Sequence, residues 1–311
     1  MGKIAFLFAG QGSQYPGMAK DLYEKIPEVR ELFDSAETIR PGTLEQMFSG
    51  SEEELKRTEN TQPCLFLADL AGAIALESSG VCPDAVAGFS LGEIAGLAAS
   101  GVLSRQEAFG LVCQRGRFMQ EAADKVDGGM VAVMRMDAAQ LQELCGEYDV
   151  YPVNYNCPGQ IVVSGERKNI ERFKERLSEL KARCVELPVS GAFHTPYMES
   201  AAGSLKKELK EGKKYSLNRA VIPLYANKTA EPYPEDEDEM ADTISDQVTN
   251  SVRWEKTLEN MAKDGVDTFI ECGPGKALSG FVKRTVEGAR IYNVCDMESL
   301  HKVLKELGKD A

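Results

Sequence analysis

Histidine is nearly missing from this 311-residue chain, which holds only His194 and His301. Positive charge is also short, with 36 lysines and arginines against 49 aspartates and glutamates. Two histidines without clustered spacing argue against a zinc site, and no metal is expected. A formal net charge of −13 leaves no broad basic face to neutralise phosphates, so nucleic acid is not an expected partner. An acidic protein partner would have to dock on a local basic patch, against the average field. The eight cysteines (64, 82, 113, 145, 157, 184, 272 and 295) include no C-x-x-C pair. Several sit in apolar runs, where a free cysteine behaves as a small hydrophobe, and the pattern suits a reducing, cytoplasmic setting.

Long hydrophobic runs are absent too. Cys64 to Leu76 is too short to span a bilayer and contains Asp69, so it reads as a buried helix of a soluble protein. Ile4 to Ala9 is short for a signal-peptide core and runs into Gly-Gln-Gly, not a small-residue cleavage site. Phe6 stands where N-myristoylation of Gly2 would need serine or threonine. Two nucleotide signatures also fail. After Gly10 and Gly12 the third glycine of a dinucleotide fingerprint is Tyr15, and Cys272 to Lys276 lacks the first glycine (Ile270) and the hydroxyl (Ala277) of a phosphate loop.

What is present centres on Gly88-Phe89-Ser90-Leu91-Gly92-Glu93. An apolar run ends at Gly88 and a small-residue segment opens at Gly92, which reads as strand, sharp turn and helix. The G-x-S-x-G spacing matches a nucleophile elbow, with glycines that let the backbone turn and hold the hydroxyl out. Amides at the start of the following helix could then face an oxyanion. Taken alone, the pattern fits equally a glycine-rich turn with a capping serine.

The rest of the chain reads as α/β. Lys3–Phe8 is a buried parallel strand, residues 18–40 and 51–80 are helical, and Thr61-Gln62-Pro63 starts the second part of the latter. Ser104 and Glu107 form a capping box opening a helix through about Ala123. From residue 127 the pattern becomes strand, helix, strand, strand, helix, strand, the split βαβ or ferredoxin-like arrangement. The first of its helices carries Leu141 and Leu144, the second Ile170, Phe173, Leu177 and Leu180. Residues 127–188 are therefore an inserted subdomain in a core of 1–126 and 189–311, with parallel-rich strands and helices. Within that core, Ala220–Ala226 is a strand, Glu231–Glu239 an acidic loop, and Thr268–Glu271 and Arg290–Val294 are further strands.

Two side chains gain interest from their surroundings. His301 lies in a terminal amphipathic helix with Leu300, Val303, Leu304 and Leu307, so His194, in the Ser190–Pro196 loop, is the only candidate base for Ser90. Arg115 sits among Leu111, Val112, Phe118 and Met119. It is either a solvated surface arginine or a partly buried one that needs an anion.

Seven motifs in one order resemble malonyl-CoA:acyl carrier protein transacylases, the acyltransferase family of fatty acid and polyketide synthesis. They are Gly10-Gln11-Gly12-Ser13-Gln14, Gly88 to Glu93, Gln114 to Gln120, Asn154 to Gln160, Gly191-Ala192-Phe193-His194, Ser251 to Trp254 and Glu271 to Lys276. The resemblance implies a hydrolase-like α/β core with a ferredoxin-like insertion. It implies Ser90 as nucleophile, His194 as base, the backbone amides of Gln11 and Leu91 as oxyanion hole, and Arg115 as holder of the malonyl carboxylate. The Gln247 main-chain carbonyl would orient the imidazole, leaving Asp246 no part in a triad. Phe193 would line the acyl pocket, though a packed core phenylalanine is the plain alternative.

The same resemblance implies malonyl-CoA as substrate, CoA as product, acyl carrier protein as partner, no resident cofactor and a monomer. Two residues depart from the family pattern: Phe89 stands where histidine is usual, beside the pocket, and Ala9 where proline is usual. A serine esterase is the main rival, which a buried Arg115 would disfavour. A carrier-binding protein without catalysis would need none of Ser90, His194 and Arg115.

Overall fold

The computed structural model describes residues 2–189, 191–212 and 214–309. Its strands are Lys3–Phe8 (β1), Ala85–Gly88 (β2), Gly128–Met134 (β3), Tyr151–Cys157 (β4), Gln160–Glu166 (β5), Arg183–Glu186 (β6), Leu224–Tyr225 (β7), Val266–Cys272 (β8) and Arg290–Val294 (β9). Five of them form a sheet in the order β7-β2-β1-β8-β9, parallel at every pairing. The other four form an antiparallel sheet, β4-β5-β3-β6.

The parallel sheet is covered on both faces, which is why its inner strands read as near-continuous apolar runs. Ala5 to Phe8 in β1 are buried throughout. Alternate residues go to different layers: Phe6 and Phe8 join the cluster around the Thr58–Ser78 helix, while Ala5 and Leu7 meet Trp254, Leu258 and Phe269. The Thr58–Ser78 helix is buried from Thr61 to Leu76, as an element apolar on all sides must be. Asp69, in its middle, is fully buried with neither carboxylate oxygen partnered among the described residues, and burial pushes its pKa well above the ordinary carboxylate value.

The antiparallel sheet has the strand order and helix placement expected of a split βαβ unit. Val131 and Val133 of β3 pack on Leu141, Leu144, Ile170, Phe173 and Leu177 from its two helices, Ala138–Tyr148 and Arg167–Glu179. Met130 and Ala132, on the other face of β3, belong to the large core. The two-residue period of the strand thus serves both its own helices and the larger hydrophobic core. A short seam ties β4 to the segment before the Trp254–Lys263 helix, with the Tyr155 amide donating to the Val252 carbonyl at 2.9 Å and the Val252 amide to that of Val153 at 2.8 Å.

Several local expectations need correction. Residues 18–40 hold two helices, Lys20–Lys25 and Pro27–Ile39, because Ile26 before the proline is forced into an extended conformation. Residues 51–80 also divide, into Glu52–Lys56 and Thr58–Ser78, and Pro63 lies inside the second helix rather than near its start. The Thr58 amide donates to Gln120 Oε1 at 2.9 Å, so a residue 62 positions away caps this helix. Thr43–Ser49 is a helix that the pattern did not indicate. Only Leu224 and Tyr225 of the expected 220–226 strand pair with β2; the Val221 amide bonds Ser100 instead. Glu237–Asp246 is a helix capped by Asp236, its acidic first turn complementing the helix dipole. Leu180 ends its helix and is exposed. Ser190, which opens the histidine loop, lies outside the described residues.

Candidate active site

β2 ends at Gly88 and the next helix starts at Gly92, leaving Ser90 at the turn with φ of 53°. This left-handed conformation is unfavourable for any residue with a side chain. Both flanking glycines are required by close approach. A Cβ on Gly88 would lie 1.9 Å from the Gly92 carbonyl carbon, and one on Gly92 would lie 2.4 Å from the Phe8 carbonyl oxygen. The elbow is wedged against its own helix and the end of β1.

His194 arrives from the loop after the antiparallel sheet, also in a left-handed conformation (φ 61°). Its Nε2 is 2.8 Å from Ser90 Oγ, and its Nδ1 is 3.1 Å from the carbonyl oxygens of both Gln247 and Asn250. Carbonyls only accept, so the proton sits on Nδ1 and the Nε2 lone pair takes the Ser90 hydroxyl. Burial and the nearby Arg115 charge push the imidazole pKa down to about 4, so at neutral pH the ring is a neutral base. Asp246 instead pairs with Lys228 at 2.6 Å.

Arg115 projects from the Arg105–Ala123 helix and is fully buried. Arg117, two residues on, faces outward to Gln114 and Glu121. The Arg115 guanidinium donates to Gln62 Oε1 (2.7 Å), Gln247 Oε1 (2.7 Å) and Ser90 Oγ (3.3 Å). Its Nε has no partner among the described residues. A buried cation normally needs a bonded anion, yet each of these acceptors is neutral. Burial lowers its pKa to about 10, which leaves it charged at neutral pH. Glu93, buried nearby, has its pKa raised to about 7 by burial.

A cavity of about 70 Å³ lies over the Ser–His pair. Gln11, Leu91, Phe89, Phe193 and Arg115 all border it, so the structure gathers the sequence-selected side chains at one point, with Gln247 just beneath. Among the described residues the backbone amides of Gln11 and Leu91 donate to no acceptor, which leaves them free for a ligand oxygen. Phe193 is buried in the main core as well as bordering the cavity. Phe89 packs edge-on against Trp254 at 5.4 Å between ring centroids and tilts against Phe281. It also borders an adjoining space of about 240 Å³ formed by Gly10 to Ser13, Asn154, Asn156 and Phe281. A separate cavity of about 580 Å³ around Arg40 and Tyr215 includes none of these residues.

Sequence reading passed over Gln62, Asn227 and Asn250. Gln62 falls in the Thr61-Gln62-Pro63 stretch that reads as a helix start, and Asn227 and Asn250 lie in loops far along the chain with no motif to mark them. The one signal in the sequence is Arg115 itself: read as partly buried, it calls for an anion, whereas the acceptors the fold supplies are neutral.

A family model described as acyl transferase domain matches residues 5–307. The chain is 39% identical over 317 residues to the malonyl CoA-acyl carrier protein transacylase of Bacillus subtilis, covering 100% of this chain and 99% of that one. The crystal structure of the malonyl CoA-acyl carrier protein transacylase from Clostridium perfringens superposes with a TM-score of 0.93 at 40% identity, covering 98% and 97% of the two chains. A malonyl-transacylase solved in complex with its type II polyketide synthase acyl-carrier protein gives 0.92 at 32% identity, covering 98% and 99%.

Proposed function

The chain belongs to the acyl transferase family, and from that premise we propose that it carries the malonyl group of malonyl-CoA to the phosphopantetheine thiol of acyl carrier protein. The transfer supplies extender units for fatty acid synthesis and passes through a malonyl ester of Ser90. The observation that carries this reading is Arg115, a buried guanidinium held only by neutral oxygens and 3.3 Å from the nucleophile. A planar fork matches a carboxylate bidentately. One that already touches Ser90 Oγ suits an acyl group whose second carboxyl is only one carbon beyond the ester carbonyl.

Each step then has an agent. His194 Nε2 takes the Ser90 proton as Oγ attacks the thioester carbon. The Gln11 and Leu91 amides receive the oxyanion, each worth ~3 kcal/mol of barrier if they act like other oxyanion donors. As the tetrahedral intermediate collapses, the C–S bond breaks and the imidazolium protonates the departing CoA thiolate. The carrier thiol then gives its proton to His194, attacks the ester, and leaves with the malonyl group while Ser90 recovers the proton. His194 orientation is assigned to the Gln247 carbonyl, aided by that of Asn250. Phe193 and Phe89 line the acyl pocket, and the adjoining space beyond Phe89 would take the thiol-bearing arm.

The same proposal covers the division into a core of 1–126 and 189–311 and an insertion of 127–188, supported by the membership of the two sheets. It covers a monomer, since nucleophile, base and clamp come from one chain, and a cytoplasmic setting, for which eight free cysteines are suited. No helix among the described residues is long and apolar enough to cross a membrane. The mechanism uses no metal, and no three-residue cluster among the described residues could hold one.

The test is intact-mass analysis after mixing with malonyl-CoA. One malonyl adduct, mapped to Ser90 and discharged onto carrier protein faster than into water, is the expected result. No adduct overturns the reading, and rapid hydrolysis without transfer favours an esterase.

A further inference from the structure

We propose that Asn227, supported by Glu93, is the positioning residue that holds the Ser90 elbow in its reactive conformation. This rests on the functional reading above.

Asn227 lies just after β7 and devotes its polar groups to the elbow and its surroundings. Its Oδ1 accepts the Ser90 amide at 2.7 Å, and its Nδ2 donates to the Gly88 carbonyl at 2.6 Å. Its backbone amide donates to Glu93 Oε2 at 2.6 Å, and its carbonyl accepts the Arg253 amide at 2.9 Å. Glu93 is fixed in turn by the Tyr233 hydroxyl at 2.5 Å. Asn227 and Glu93 are both buried, so water cannot replace a lost partner.

The clasp bears on reactivity through two routes. The first is the nucleophile's backbone. Ser90 sits at a positive φ, and one asparagine side chain grips the peptide groups on its N-terminal side. Gln247 Nε2 holds the Ser90 carbonyl at 2.7 Å. Fixing the Ser90 amide on Asn227 turns it away from the reacting oxygen and leaves the Leu91 amide as the elbow's donor. The second route is Gln247. Its Nε2 also reaches Asn227 Oδ1 at 3.3 Å, its Oε1 holds Arg115 and its carbonyl holds His194. Asn227 therefore touches no substrate position, yet acts on nucleophile, oxyanion donor and base together.

Displacement of a catalytic group by about 1 Å typically lowers the rate by about 100-fold. Asn227→Ala is expected to lower kcat for malonyl transfer by about that factor while KM for malonyl-CoA stays within about threefold, because Arg115 keeps Gln62. Glu93→Ala, which leaves the Asn227 amide without an acceptor, is expected to follow it. Glu93→Gln keeps an acceptor there and is expected to stay within about threefold of wild type. Should Asn227→Ala fail to fold, the contrast between the two Glu93 variants carries the test alone. Retention of kcat within threefold in Asn227→Ala, or in Glu93→Ala, overturns the clasp. So does equal loss of activity in both Glu93 variants, which would mean a carboxylate is needed for some other reason. Wild-type protein that takes no malonyl group overturns the functional reading itself. A wild type that loads beside an Asn227→Ala protein loading at the same rate overturns only the clasp.

Discussion

Ser90 Oγ is shared between two buried groups of opposite demand: His194 Nε2 at 2.8 Å takes its hydrogen, and Arg115 Nη2 at 3.3 Å donates to it. The hydroxyl is aligned to pass its proton to the imidazole while a cation stands beside its oxygen.

In the proposed transfer, that pairing makes Arg115 the selective element. Charge-assisted hydrogen bonds contribute about 1.5–3 kcal/mol each, so losing a bidentate pair to the malonyl carboxylate is expected to cut malonyl loading by ~100-fold or more in Arg115→Ala. Acetyl loading, which forms no such pair, is expected to fall by less than about tenfold. Stopped-quench measurement of both acyl enzymes checks this, and equal losses would refute the clamp.

The second expectation concerns pH. Burial and the Arg115 charge hold the His194 pKa down at about 4. Lowering the pH protonates Nε2 and removes the base, so the acylation rate should rise with pH through about 4 and stay level from 5 to 7. Single-turnover rates across that range provide the check. A midpoint near the ordinary value of 6.5 would show that the ring is solvated during turnover.

Phe89 offers a third. Phe89 borders both the cavity over Ser90 and the adjoining space, and packs on Trp254 and Phe281. Phe89→His places a polar edge there that can hold water beside the ester. Hydrolysis of the malonyl enzyme in the absence of carrier is expected to rise severalfold, with folding intact. An unchanged lifetime of the intermediate would remove Phe89 from the control of water.

Gly88→Ala tests the elbow as a packed object. The added Cβ would fall 1.9 Å from the Gly92 carbonyl carbon, a clash that only a backbone shift relieves. Overpacking strain of this kind costs about 1–3 kcal/mol or more. A fall in melting temperature of several degrees with loss of Ser90 acylation is expected. A variant as stable and active as wild type would show that the turn can relax.

Much of this architecture could be read from the chain because its signals are local. β1, the capping box at Ser104 and the period change at residue 127 each announce themselves within a dozen residues. Failures occurred where a distant residue supplies what local sequence lacks. Gln120 caps the helix starting at Thr58, so its start did not coincide with Pro63. The site divides in the same way. Ser90, His194 and Arg115 stand out through spacing, scarcity or an apolar setting. Asn227 and Asn250 are ordinary loop asparagines until the fold sets them against the elbow and the imidazole. Family resemblance supplied Gln247; no spacing argument would have found it.

The Tyr155–Val252 seam has a consequence for exchange of parts between relatives. Val252, which ties β4 to the segment leading into the Trp254–Lys263 helix, lies two residues after Asn250, whose carbonyl shares the His194 proton. A chimera cut only at residues 127 and 188 would keep the host's 247–252 segment against a foreign β4, and any mismatch there would reach the general base. A transplant that preserves the base should take residues 247–252 along with the insertion, as one inheritable unit.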